Sequence, residues 1–128
     1  MLAITSVYAA VFALFFLFLS ARVARCRAKT LTALGDGGHP ELLRRIRVQA
    51  NCAEYGPLAL LMMGMSEIQG APGLLVHGLG AALLGGRLLH AYGLSQVKER
   101  LVFRVSGMIL TFSSISIAAL TLLWLAFG

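Results

Sequence analysis

Five polar residues recur at helical spacing in one stretch of this 128-residue chain. Arg44, Arg47, Asn51, Glu54 and Tyr55 follow the three- and four-residue rhythm that places side chains on one face of an α-helix. The stretch reads as part of a membrane span. Charge at that depth is costly by several kcal/mol unless it is paired or hydrated, so such a face marks function by default. The competing reading is an Arg47–Glu54 pair that only fixes helix packing. The group lies near one end of its helix, where long side chains reach water along their apolar stems and the cost falls. A second set, Arg87, His90 and Leu94, follows the i, i+3, i+7 spacing farther along.

Composition explains why these residues stand out. Hydrophobic residues make up 59% of the chain and charged residues 12%, with a mean hydropathy of +0.84. A soluble domain carries about 25% charge. This chain has too little polar surface to cover itself in water, which excludes disorder, a soluble enzyme and an ordinary nucleic-acid binder. The net charge of +6 does not reverse that reading, because the bases flank apolar runs instead of forming a phosphate-binding patch. Cys26 and Cys52 do not make a disulfide framework. Both fall on the basic side and read as free thiols, Cys52 as a small packing residue.

The pattern predicts a single all-α membrane domain over 1–128, a four-helix bundle with spans near 2–25, 42–66, 73–94 and 105–127. The first span, Met1 to Ala21, is uncharged, and its bases follow it, as in a retained span with an outer N-terminus. Pro40 and Glu41 suit the first turn of the second helix. All eleven Lys and Arg lie at the first–second or third–fourth junction. The positive-inside rule then places both junctions in the cytoplasm and both termini outside. Gly78, Ala82 and Gly86 recur every four residues on the third helix and predict close helix packing there.

At Arg47-Val48-Gln49-Ala50-Asn51-Cys52-Ala53-Glu54-Tyr55-Gly56-Pro57 the chain resembles the signature of the MAPEG family, membrane-associated proteins of eicosanoid and glutathione metabolism. Arg47, Asn51, Glu54 and Pro57 carry the core of that pattern. Gly35 to Gly38, Gly86 to Gly93 and Phe103 to Met108 resemble its short bacterial branch. The resemblance runs in order along nearly the whole chain. It implies a homotrimer in a bacterial inner membrane, with glutathione bound between neighbouring protomers near the cytoplasmic side.

The same resemblance implies roles for individual residues. Arg47 would hold a glutathione carboxylate through its guanidinium fork, with Asn51 adding a neutral hydrogen bond. Glu54 would accept from the ammonium group, and Tyr55 would either donate to a carboxylate or pack. Arg25 resembles the arginine that reaches into the neighbour's site, with Arg27 a rival. Arg87 and His90 complete the expected glutathione-binding set. Arg104 resembles the arginine that stabilises the thiolate, and Arg100, one turn earlier, is the alternative. Leu94 stands where eicosanoid-processing relatives carry a tyrosine, which weakens transfer of an eicosanoid substrate.

The function implied is a glutathione transferase or peroxidase acting on a lipophilic small molecule that arrives from the membrane lipid. Glutathione is the co-substrate; no metal and no nucleic acid is expected. Two alternatives stay open. One is a MAPEG-fold protein with a structural or regulatory role. The other is a small multidrug-type transporter using Glu54, although such exporters carry their glutamate in the first span, which here is uncharged.

Overall fold

The computed structural model describes residues 1–128 as four α-helices: α1 (Ala3–Thr30), α2 (Pro40–Ile68), α3 (Gly73–Ser95) and α4 (Leu101–Phe127). Each starts or ends within several residues of its expected span, and α1 runs on to Thr30 through the basic residues. By length and apolarity three of the four, α1, α3 and α4, can cross a membrane. α2 is 29 residues long but carries Glu41, Arg44, Arg45, Arg47 and Glu54. It lies antiparallel to α1 along its length. Arg45 donates to the Arg22 carbonyl at one end, and Gln49 donates to the Ser20 hydroxyl one turn on. Phe12 packs against Gly56 at the middle, and Glu67 meets Ile4 and Thr5 at the far end.

The helix ends follow local chemistry. α1 has no capping side chain of its own. Glu67 caps it from the end of α2, each carboxylate oxygen accepting a backbone N–H at 2.8 Å, from Ile4 and Thr5. At its other end α1 stops where Leu31 turns left-handed and its N–H bonds back to Ala28. The 31–39 link then turns at Asp36-Gly37-Gly38. Asp36 Oδ1 accepts from the Gly38 N–H at 2.9 Å, and both glycines take the positive φ that this turn requires. Arg27 clamps the link by donating to the Gly35 carbonyl at 2.8 Å. Pro40 and Glu41 open α2 as expected.

The helices alternate in direction, and the two basic junctions lie at one end of the bundle. Both Nη atoms of Arg22 donate to Ser95 Oγ at 3.1–3.2 Å, and Arg44 donates to the Leu94 carbonyl at 3.1 Å. α3 packs on all three other helices, and α1 does not touch α4. One core layer, Phe12, Leu19, Val48, Cys52, Ala91 and Leu94, joins α1, α2 and α3. Only 28 of 128 residues are buried, and many large apolar side chains face outward, where lipid or further protein must cover them.

The closest helix approach is between α3 and α4. A Cβ on Gly107 would sit 2.4 Å from the Gly86 carbonyl oxygen and 2.5 Å from the His90 backbone nitrogen. One on Gly93 would sit 2.6 Å from the Arg104 nitrogen. Of the two glycines in the expected small-residue row, only Gly86 takes part. Gly78 faces open space, because the buried face of α3 runs through Leu79, Gly80, Leu83, Gly86, His90 and Gly93. Gly107→Ala should therefore separate α3 from α4 and cost about 1–3 kcal/mol. Gly78→Ala should leave stability unchanged or slightly raised. Thermal unfolding of the two variants in detergent checks this contrast.

Candidate functional site

The basic end of the bundle holds a cleft of about 330 Å³ lined by residues from three helices and a link. α2 contributes Pro40, Leu43, Arg44, Arg47 and Asn51; α3 contributes His90 and Leu94; α4 contributes Arg104; and the 96–100 link contributes Glu99. The one-sided spacing on α2 brings Arg44, Arg47 and Asn51 to the cleft together. The tight Gly93 contact sets the level of α4, so that Arg104 opens beside His90. Three guanidiniums face a single carboxylate, so the cleft carries excess positive charge. It suits an anionic ligand with planar groups that accept two hydrogen bonds.

Glu99 organises that charge. Its Oε1 accepts from Arg104 Nη1, and its Oε2 lies 3.6 Å from Arg44 Nη1. The Arg104 hydrogen bond and the two nearby charges hold the Glu99 carboxyl below the usual glutamate range. Arg47 lies at the opening, with about half of its side chain exposed, 3.5 Å from an equally exposed Glu54.

Arg87 lies inside the bundle, behind the cleft, and is 1% exposed. Its Nη1 donates to Asn51 Oδ1 and its Nε to Thr111 Oγ1 at 3.0 Å, while Nη2 meets Met108 Sδ at 3.2 Å. It stacks 5.8 Å from the Tyr55 ring, which is itself edge-on to Phe112. No carboxylate pairs with it. Its donors are spent on neutral acceptors that join α2, α3 and α4. Because Asn51 Oδ1 is taken, the amide N–H groups are the end of Asn51 left for the cleft.

The structure thus gathers Arg47, Asn51, His90 and Arg104 around one space. It places Arg87 and Tyr55 behind that space, in the packing between helices. Glu54 lies above it, paired with Arg47. Arg25 is exposed on α1 and Arg100 is exposed at the start of α4; neither lines the cleft. Arg27 is occupied by the 31–39 link. Two charged lining residues, Arg44 and Glu99, had no individual role assigned from the sequence. Arg44 was legible, because it sits three residues before Arg47 on the same face. Glu99 was not, because the path of the link decides where it points.

Arg87→Ala should remove both the buried volume and the network, lowering stability by about 2–5 kcal/mol. Arg87→Met keeps the volume and removes the buried charge, so its loss should be less than half as large. Chemical denaturation in detergent separates the two.

The MAPEG family model matches residues 5–126 of the chain. Two Escherichia coli sequences, from strains K12 and CFT073 and both called inner membrane protein YecN, are each 38% identical to it over 121 residues. The aligned region covers 94% of this chain and 91% of each relative.

Proposed function

The chain belongs to the MAPEG family, and from that premise we propose that it binds glutathione in the arginine-lined cleft and presents the thiolate to lipophilic electrophiles, as a membrane glutathione transferase or peroxidase. The observation that carries this reading is the convergence of Arg44, Arg47, Asn51, His90 and Arg104 on one cleft at the basic end. Glutathione has two carboxylates, an ammonium and a thiol. Arg47 and Arg44 suit the carboxylates through bidentate hydrogen bonds, and the Asn51 amide adds a neutral donor. Glu54, beside Arg47, suits the ammonium.

Arg104 suits the sulfur. A guanidinium close to a thiol favours its ionised form, and the free thiol has a pKa of about 8.5. The proton leaves to water at the basic mouth, and the sulfur lone pair then attacks an electrophilic centre that enters from the bilayer, displacing a leaving anion that takes up a proton from water. In a homotrimer, neighbouring copies would cover the half-exposed Arg47 and Glu54, which a lone protomer would present to lipid, and would bring Arg25 toward an adjacent cleft. The relatives' name and the one-sided bases support an inner-membrane location with the cleft opening to the cytoplasm.

Calorimetry on detergent-purified protein should detect glutathione binding. Arg47→Ala should weaken it at least about tenfold, the cost of one charge-assisted contact. Arg104→Ala should leave binding largely intact but raise the thiol pKa toward about 8.5, seen as loss of thiolate absorbance at neutral pH. If neither Arg104→Ala nor Arg100→Ala moves that titration, the bound thiol is not activated and a non-catalytic role replaces this one.

Orientation has its own test. A reporter fused after Gly128 should be active in the periplasm, and one inserted near Gly37 in the cytoplasm. A cytoplasmic signal from both overturns the four-span arrangement.

A further inference from the structure

Glu99 is the single acid on the wall of the cleft, and it sits where an anionic ligand would bind. Its two oxygens serve two different arginines, Arg104 from α4 and Arg44 from α2. Arg44 has a second partner in the Leu94 carbonyl. Arg104 has no side-chain partner besides Glu99. The residue belongs to the five-residue 96–100 link. That link is tied to the bundle by the Arg100 N–H to the Gly93 carbonyl at 3.3 Å, by the Arg100 carbonyl, which accepts from the Phe103 and Arg104 N–H groups at 3.1 and 3.2 Å, and by the Glu99 side chain. The element holding the cleft's own carboxylate is therefore short, with its backbone anchored at Arg100 and its Glu99 side chain held by the two arginines.

We propose that Glu99 is an internal carboxylate that an incoming ligand carboxylate replaces on Arg44, so that Glu99 sets the affinity and selectivity of the cleft and keeps Arg104 neutralised until ligand arrives. The inference rests on the glutathione-binding reading above. Exchange of one carboxylate for another on Arg44 contributes little net electrostatic energy, while the released Glu99 leaves Arg104. A ligand with a single carboxylate gains almost nothing by displacing Glu99. A ligand with a second carboxylate for Arg47 gains a contact that Glu99 does not supply. The cleft thereby selects dianions over monoanions, and neutral compounds leave the plug in place. The same exchange frees Arg104, whose field at a nearby thiol is that of a full charge only after Glu99 has left it.

Glutathione and succinate are titrated into wild type, Glu99→Gln and Glu41→Gln, each confirmed to keep the wild-type oligomeric size. Glu41 pairs with Arg45 outside the cleft and serves as the control. Removing the competing charge should tighten both probes about three- to tenfold in Glu99→Gln and leave Glu41→Gln unchanged, the range expected for a partly exposed ion pair. In the wild type, where no variant need fold, bound ligand should speed hydrogen exchange at the amides of residues 96–100. Weaker binding by Glu99→Gln, or slower exchange of the link on binding, overturns the proposal and makes Glu99 a ligand contact instead. Equal affinity of wild type and Glu99→Gln for both probes also overturns it. If no protein binds glutathione but Glu99→Gln binds succinate more tightly, the exchange stands and the glutathione reading falls.

Discussion

A guanidinium placed between apolar helices needs acceptors, and this chain has eleven bases against five acids. Five of its nine arginines, Arg22, Arg25, Arg27, Arg87 and Arg100, have no carboxylate partner. Three of them are satisfied by backbone carbonyls and neutral side chains: Arg22 by Ser95, Arg27 by Gly35, and Arg87 by Asn51 and Thr111. Each of these bonds, apart from those of Arg27, ties one helix to another. The basic end of the bundle is thus built by the scarcity of acid. The same scarcity leaves the cleft with positive charge that the protein itself does not cancel.

Two kinds of contact then fix where that charge is displayed. Arg87 joins α2, α3 and α4 behind the cleft and presents the amide of Asn51 to it. Gly86, Gly93 and Gly107 let α3 and α4 approach until backbone meets backbone, which sets the level of α4 against His90. The position of Arg104 follows from that level. A shift of one turn would turn Arg104 away and bring Arg100 nearer. The choice between two arginines on one helix is therefore made by glycines on two helices.

At the other end Glu67 caps α1 across the bundle, which ties the start of the chain to the end of α2. Together with the Arg45–Arg22 contact it pins α2 to α1 at both ends. α2 carries more charge than a lone spanning helix tolerates, and this pinning holds it in place within the bundle.

The sequence by itself determined the class of molecule, because apolar runs and one-sided bases are properties of composition and order. It determined the helical face of Arg44, Arg47 and Asn51, because a helix fixes which residues share a side. It determined the family through motifs that run in order along the chain. The tertiary structure alone decided that Arg87 turns inward and spends its donors on packing, since periodicity places Arg87 and His90 on one face without saying what that face meets. It alone decided that Gly78 faces outward while Gly107, unremarked in the sequence, governs the α3–α4 crossing. And it alone decided that Glu99 enters the cleft. A short link has no periodicity to read, and the direction of its one acid depends on where two helices end relative to a third.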